Sequence, residues 1–436
     1  MKNQNTYHIQ RRTLIERLLA GLVIFLFVPL LLASCEDSSV QTITWIEFEP
    51  VYMSMAEFQR AVDLEESRDL VNPGKIYFYN GFLFINEVNK GVHIIDNRNP
   101  SAPVNTGFIN IPANKDIAIK DDILYADSQK DLLVFDITNM QQAELIDRIE
   151  DVFNVTANRP PGFTTQTVDP SRGIVVDWKA VERTEVCEED CRFHPANRFN
   201  VLSTGARTES FFAADGGGSG TGGSMARFAI TGDHLYAVDH SNLITFNISS
   251  SSPSKTNNLH VGWAIETIFP YQQNLFIGSE TAMYIFNINN PSMPQQLSIY
   301  RHSTACDPVV VEGDFAFVTL REGTRCPNGI NRLEVVDVSD LLQPKRVNFQ
   351  EMIKPHGLGI DNGKLFVSEG EFGLKIMDAT DPLNIKLIDH IKDIRTFDVI
   401  PFNGVLMVTG ESGINQYDYS DIYNLKHLST IPVVSE

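Results

Sequence analysis

A short motif recurs seven times along the chain and limits the folds that the chain can adopt. In each copy an apolar stretch ends in Asp or Asn, and a second small polar residue follows three positions later. Successive copies lie 40, 111, 40, 50, 41 and 40 residues apart. A fixed period near 40 indicates a repeat architecture, which overrides a domain count based on length. The seven pairs are Asp96/Asn99, Asp136/Asn139, Asn247/Ser250, Asn287/Asn290, Asp337/Asp340, Asp378/Asp381 and Asp418/Asp421.

Each period contains four short stretches with the composition of β-strands. In the second unit these are residues 116–121, 123–128, 132–137 and 144–149; in the sixth they are 357–362, 364–369, 374–379 and 385–390. Their lengths, β-branched residues and polar turns are typical of antiparallel meanders. We therefore predict an all-β fold, a seven-bladed β-propeller of four-stranded antiparallel blades. The competing fold is a linear β-solenoid. The repeated Asp or Asn is expected to accept backbone N–H groups in the turn, which is a structural role.

The propeller is predicted over residues 73–436, with a long loop insertion after blade 2 at 155–224. The glycine-rich end of that insertion, 215–224, is expected to be flexible. It lacks the Lys-Ser/Thr pair and the following helix of a phosphate-binding loop. Residues 36–72 are predicted to be an N-terminal tether with a short helix, because Ser54 to Glu57 form a capping-box sequence.

The N-terminus predicts a lipoprotein signal peptide at residues 1–35. A basic segment precedes an apolar run over 18–32 that is short for a transmembrane span. The run ends in Leu-Ala-Ser-Cys, which resembles a bacterial lipobox with Cys35 as the lipidated residue. The predicted location is the outer membrane, anchored by lipid. The acidic pair at 36–37 favours the cell surface, and the periplasmic face is the alternative. An ordinary cleaved signal remains open.

Four further cysteines would lie in an oxidising compartment, where pairing is expected. Local disulfides would join Cys187 to Cys191 and Cys306 to Cys326, and the other pairings remain open. Neither pair has the spacing of a metal site, so no metal is predicted. The net charge of −20 argues against a nucleic-acid partner.

The repeats resemble those of the LVIVD-repeat proteins, of the kind found in Bacteroidetes lipoproteins. The residues that carry the resemblance are GVHIIDNRNPSAP (91–103), NRLEVVDVSD (331–340) and GLKIMDATDP (373–382). Units three and seven depart from the pattern, with Asn247 in place of Asp and no proline after Asp421. The resemblance implies a propeller, often secreted or lipid-anchored, and brings no established catalytic residues.

A polar ring is predicted at one mouth of the central channel, at the start of each innermost strand. Counting back seven or eight positions from the second strand selects Lys75, Asp116, Arg227, Glu266, Asp307, His356 and Asp398. A hydrated channel with paired charges is the favoured interpretation. The ring could instead bind a polar ligand or Ca²⁺, although no cofactor is predicted. His356 is the candidate general base, but no catalytic residue is assigned.

The function favoured by these observations is a protein-binding or scaffold module on the cell envelope, with an envelope protein as partner and the membrane contacted through the lipid. The alternative is a glycan-binding protein, or a hydrolase- or lyase-type enzyme, with its site at the channel mouth. Catalysis is the less favoured reading. Trp178, Trp263 and Tyr271 are the aromatic candidates for glycan or peptide contact, and Trp263 is expected to be buried between blades.

Overall fold

The structure is a computed structural model that describes residues 41–154, 168–187, 199–200, 221–225, 227–302, 308–322 and 330–434. Before the repeats lie β1 (Gln41–Met53), α1 (Met55–Arg60) and β2 (Asp63–Glu65). Blade 1 is β3 (Pro73–Tyr79), β4 (Phe82–Glu87), β5 (Gly91–Asp96) and β6 (Val104–Asn110); blade 2 is β7 (Ile117–Lys120), β8 (Ile123–Ser128), β9 (Asp131–Asp136) and β10 (Glu144–Ile149). The insertion contains a 3-10 helix (Pro170–Arg172), β11 (Ile174–Cys187), β12 (Phe199–Asn200) and β13 (Thr221–Gly222).

The remaining blades follow without interruption by other described elements. Blade 3 is β14 (Phe228–Thr231), β15 (His234–Val238), β16 (Asn242–Asn247) and β17 (Ser254–His260); blade 4 is β18 (Ile265–Tyr271), β19 (Asn274–Ser279), β20 (Ala282–Asn287) and β21 (Gln295–Arg301). Blade 5 is β22 (Val309–Glu312), β23 (Phe315–Leu320), β24 (Arg332–Asp337) and β25 (Lys345–Glu351); blade 6 is β26 (Leu358–Asp361), β27 (Lys364–Ser368), β28 (Leu374–Asp378) and β29 (Lys386–Ile391). Blade 7 is β30 (Thr396–Phe402), β31 (Val405–Gly410), β32 (Gly413–Asp418) and β33 (Lys426–Pro432).

The predicted all-β, seven-bladed propeller is confirmed. Each blade is an antiparallel sheet whose four strands follow one another in chain order. The first strands of successive blades pack side by side, so they are innermost and surround the central channel. Two-residue turns join the first strand to the second, and Asn80–Gly81 and Asn403–Gly404 adopt the positive φ values that such turns require.

The repeated Asp or Asn has the predicted turn role in all seven blades. In each case its side-chain oxygen accepts the N–H of the residue two positions later, at 2.8 to 3.2 Å. The residue directly after the repeated Asp or Asn donates its own N–H to a carbonyl oxygen in the turn between the first and second strands of the same blade. A β-bulge lies between the third and fourth strands of every blade. The motif thus marks the end of the third strand in each sheet.

The hydrophobic core lies between the blades, where apolar residues of neighbouring sheets interdigitate. Blade 7 meets blade 1 in the same way, through a cluster that includes Ile85, Met407 and Ile414. Within the described residues these two blades exchange no strand, since the four strands of each blade are consecutive in the chain. At the seam, Asn97 and Gln416 exchange two amide hydrogen bonds of 2.8 and 2.7 Å. Ring closure therefore depends on side chains and a short bridge, Leu70 to Val433.

Residues 41–72 contain regular structure. Strand β1 forms a three-stranded sheet with β11 and β12, and β2 adds to the outer edge of blade 1. The capping-box residues precede α1: the Ser54 hydroxyl accepts the Glu57 N–H at 3.3 Å, and the Glu57 carboxylate accepts the Ser54 N–H at 3.0 Å. Helix in the described part of the chain is limited to the six residues of α1 and the three-residue 3-10 turn. Neither is a candidate membrane span.

Candidate functional site: the central channel and the turn face

The equivalent channel positions lie five residues before the turn that ends each innermost strand. Aligning the seven turns by their strand register places Lys75, Asp116, Arg227, Thr267, Pro308, Gly357 and Asp398 at this position. Four of these match the ring predicted from the sequence. Glu266 and His356 lie one residue earlier, and Asp307 falls outside the described residues. Glu266 and His356 lie eight residues before the second strand of their blades, whereas the channel position lies seven residues before it.

Blades 1, 2 and 3 share a buried ion pair at the channel. The ammonium of Lys75 lies 3.4 Å from the Asp116 carboxylate, and the two side chains are 4% and 1% exposed. The same carboxylate accepts the backbone N–H groups of Arg227 and Phe228, both at 2.9 Å, where the chain returns from the insertion. Burial raises the pKa of Asp116 to about 6, against the lowering effect of Lys75. Asp116 therefore fixes the first strand of blade 3 against blade 2.

Asp398 lies in a close-fitting cradle on the other side of the channel. A Cβ added to Gly357 would approach its Oδ1 to 2.1 Å, and a Cβ on Gly223 would approach its Oδ2 to 1.7 Å. Only glycine can therefore face this carboxylate at both positions. The Ser224 hydroxyl lies 3.4 Å from Oδ1 and accepts the Leu358 N–H at 2.8 Å. Burial raises the pKa of Asp398 to about 7, against hydrogen bonds from Val399 and Ser224.

The end of the insertion fills this part of the channel. Strand β13 pairs antiparallel with the inner edge of β3, with Thr221 opposite Phe78 and Gly222 opposite Tyr77. The next residues cross to blades 6 and 7 through the contacts of Gly223 and Ser224, and Met225 is only 8% exposed. The predicted ring residues Lys75, Asp116, Arg227 and Asp398 thus face the protein's own chain.

The His356 side chain is held by residues of blades 6 and 7. Its Nδ1 lies 2.8 Å from the Lys354 carbonyl oxygen, so this nitrogen carries the hydrogen and donates it. Its ring packs against Gly370, and the Phe397 ring lies 6.2 Å away. Burial, together with the positive charges of Arg321, Lys354 and Arg395, lowers the pKa of His356 to about 3. The imidazole is therefore neutral.

The described side chains do not assemble a recognisable metal site. Within the part of the chain that the structure describes, no three His, Cys, Asp or Glu residues are placed to bind one ion together. The cysteine predictions cannot be compared with this structure, since Cys35, Cys191, Cys306 and Cys326 lie outside the described residues. For Cys187 only the backbone is described, as the last residue of β11.

The aromatic candidates have three different environments. Trp178 is buried in the insertion, at 7% exposure. The Tyr271 hydroxyl accepts the Gly313 N–H at 2.7 Å, which ties blade 4 to blade 5. Trp263 is 73% exposed, so its predicted burial between blades is wrong. It lies in the connection from β17 to β18, where the chain passes from one blade to the next, and the rings of His240 and His260 contact it edge-on at 6.3 and 6.0 Å.

The opposite face of the propeller carries an apolar feature that sequence reasoning missed. Five residues after the repeated Asp, blades 5, 6 and 7 present Leu342, Leu383 and Tyr423, which are 63%, 57% and 73% exposed. We refer to these three residues as the turn arc. In each case the backbone N–H is held by the second Asp of the motif, at 3.0 to 3.1 Å. The side chain is consequently directed outward from an ordered turn.

The same position is polar in the other four blades. It is occupied by Ser101, Gln141, Ser252 and Ser292 in blades 1 to 4. The turn arc therefore belongs to three consecutive blades, 5, 6 and 7. Aligning the seven motifs would have exposed this difference in sequence, since the spacing from the anchor is constant.

The comparisons with known proteins agree with the repeat pattern and the fold. Residues 74–110 match the family model described as LVIVD repeat. This segment is blade 1 without its first residue, Pro73. No curated protein matches the chain.

The similarity to solved structures concerns the fold alone, and it is carried by the first of the three matches below, whose TM-score exceeds 0.5. A crystal structure of a protein from Lactobacillus plantarum aligns with a TM-score of 0.52 at 13% identity, covering 84% of this chain and 97% of that one. The computationally designed protein Ika8 aligns at 8% identity and a TM-score of 0.49, over 85% and 92% of the two chains. Sqt1 from Saccharomyces cerevisiae aligns at 9% identity and a TM-score of 0.49, over 83% and 87%.

Proposed function

We propose that the protein is a protein-binding scaffold of the bacterial cell envelope, anchored by a lipid on Cys35, and that its partner binds the turn arc. A propeller fold with an LVIVD repeat suggests a protein-interaction or scaffold module. The observation that carries the proposal is the exposure of Leu342, Leu383 and Tyr423 on three adjacent blades. Exposed apolar side chains grouped on one surface mark interaction sites, whereas single ones are ordinary.

The chemistry of the turn arc favours a protein over a small ligand. The three side chains project from turns, and each is flanked by the Asp residues of its own motif. A partner surface with apolar pockets and basic groups at their rims would complement this arrangement. The order of the turns also limits the entropy that would be lost on binding. The partner we propose is an envelope protein, because the N-terminal signal would place this protein on the envelope membrane.

The test compares three forms of the full-length protein expressed at its native level. One form is wild type, one carries Leu342→Ser, Leu383→Ser and Tyr423→Ser, and a control carries serine at three exposed apolar positions outside the arc. The control positions are Met55, Val104 and Ile353. Proteins cross-linked in the envelope are recovered from detergent and quantified. Loss of one apolar anchor commonly costs 1.4 kcal/mol or more, so we expect partner recovery from the arc variant to fall about tenfold.

Equal recovery from the arc variant and the control would contradict the arc as binding surface. The anchor is tested separately with Cys35→Ala, which removes the thiol that would carry the lipid. We expect wild type in the outer-membrane fraction and the variant outside it. Protease treatment of intact cells then distinguishes the cell surface from the periplasmic face.

A second candidate function, glycan binding, is favoured by Trp263. An exposed indole beside two imidazoles, His240 and His260, offers a stacking surface with hydrogen-bonding groups at its edge. Trp263 is also a convenient reporter, because the other two tryptophans of the chain, Trp45 and Trp178, are buried. Titration with envelope oligosaccharides should quench or shift the Trp263 emission, and Trp263→Phe should remove the response. Unchanged emission across the panel would reject this candidate.

A further inference from the structure

The inner edge of β3 is already paired, which distinguishes blade 1 from the other blades. On the channel side β3 pairs with β13, so the order of strands in this sheet begins with β13, followed by β3. In the other six blades, the described sheets end at the innermost strand, namely β7, β14, β18, β22, β26 and β30. Adding an extended segment to an open sheet edge is a common mode of peptide recognition. Here the added segment is supplied by the same chain.

Residues after β13 are recognised individually by two other blades. Gly223 faces Asp398 so closely that any side chain would collide, because an added Cβ would lie 1.7 Å from Oδ2. The Ser224 hydroxyl accepts the Leu358 N–H of blade 6 at 2.8 Å. Met225 follows and is buried. The site therefore selects for a glycine, then a hydroxyl, then an apolar residue, in that order.

Two of the groups that make the site are themselves buried and polar. Asp398 is 5% exposed, and the Lys75 side chain, whose charge acts on Asp398, is 4% exposed. Burying charged or acidic groups costs free energy unless they have polar partners. Ser224 of the inserted segment is one such partner, which explains why the segment fits a polar channel although its sequence is almost without charge.

We infer that the inner edge of β3 and the Asp398 cradle form a peptide-binding site, whose intramolecular occupant is the segment 221–225. The ligand class is an extended peptide with the pattern glycine, serine, apolar residue, preceded by residues that pair with β3. Such a peptide in a partner protein would bind the channel in place of the segment. The intramolecular occupant reduces the apparent affinity for that peptide in proportion to the fraction of time that it fills the site.

Few described contacts hold the segment 221–225 in place against replacement by a partner peptide. Its described strand pairing covers two residue pairs, Thr221–Phe78 and Gly222–Tyr77. Beyond Met225, the chain is fixed independently by the two hydrogen bonds to Asp116. Displacement of 221–225 can therefore leave blade 3 in place.

The experiment measures binding of a fluorescent peptide, GTGGSMA, to the full-length protein in detergent by anisotropy. This peptide has the sequence of residues 220–226. In Gly223→Ala the new Cβ cannot fit against Asp398, so the segment should leave while the cradle stays intact. We expect this variant to bind the peptide about tenfold more tightly than wild type, as removal of a competing occupant predicts. A matched peptide with alanine in the position of Gly223 should not bind either protein.

Two further variants complete the design. Gly107→Ala is the control, because a Cβ there would meet nothing closer than 3.6 Å, and its peptide affinity should equal that of wild type. Ser224→Ala removes one hydroxyl without a steric conflict and should increase peptide affinity roughly two- to tenfold. If Gly223→Ala does not fold, Ser224→Ala decides the question. The inference is wrong if the folded variants bind the peptide no better than wild type, or if the alanine-containing peptide binds equally well.

Discussion

Replacing Asp398 with Asn should make the protein more stable, and the gain should grow with pH. Burial raises the pKa of this carboxyl from its ordinary 3.8 to about 7. A carboxyl whose pKa is raised in the folded state contributes its stability below the unfolded-state pKa and loses it as pH rises through the folded-state value. The wild-type side chain therefore costs stability at neutral and alkaline pH, whereas the amide of Asn does not titrate.

The size of the effect follows from the pKa difference. One pKa unit corresponds to 1.36 kcal/mol, so a difference of about 3 units amounts to about 4 kcal/mol at full ionisation. The linkage relation places about 2.5 kcal/mol of this change between pH 5 and pH 8. Asn has nearly the shape of Asp, so it fits between Gly357 and Gly223 without new contacts.

Denaturant unfolding of both proteins at several pH values measures the effect, with the difference in unfolding free energy plotted against pH. Groups that titrate equally in both proteins cancel in this difference. The control is Asp121→Asn, the same change at a side chain that is 82% exposed. A flat curve for Asp398→Asn between pH 5 and pH 8 would show that the carboxyl is not buried as the structure describes.

Three further predictions concern the repeat and its seams. Asp337→Ala should destabilise the protein by about 1 kcal/mol through loss of the turn hydrogen bond, whereas Asp337→Asn should cost less than half as much by denaturant unfolding, since it keeps an acceptor. Gln416→Ala leaves the buried Asn97 amide without its reciprocal partner and should cost roughly 1–3 kcal/mol; equal midpoints would contradict the seam contact. Glu334→Ala removes the buried carboxylate that accepts from Tyr300 and Arg346 and should cost roughly 1.5–3 kcal/mol, less than for a fully buried pair because Arg346 is 41% exposed, detected as a lower melting temperature.

The sequence predicted the fold because the strand positions and the turn motif repeat together with the same period. Strands β8 and β10 occupy the predicted residues 123–128 and 144–149 without a shift. The repeated Asp or Asn has its predicted partner in every blade, since an Asx turn is local and its acceptor and donor are two residues apart. Local interactions with a fixed period are the features that sequence patterns report well.

The channel could be predicted only in part, because its geometry depends on single-residue register. Counting seven or eight positions back from the second strand leaves an ambiguity of one residue, which misplaces Glu266 and His356, and an error of one residue reverses the face on which a side chain lies. The occupancy of the channel was not predicted at all. The segment at 221–225 has no strand pattern, and its partners lie in blades 1, 6 and 7, far away in sequence.

The same segment bears on how the ring stays closed. Propeller ends that exchange no strand are held only by contacts across the seam. The segment 221–225 pairs with blade 1 and packs on Asp398 of blade 7, so it spans the seam from inside the channel. If the segment 221–225 leaves the channel, the ring must stay closed. Contacts across the seam outside the channel can keep it closed. Leu70 accepts the Val434 N–H at 2.8 Å, and the seam cluster buries apolar side chains from both blades. Because these contacts do not involve the segment, the closed ring and an exchangeable channel are physically compatible.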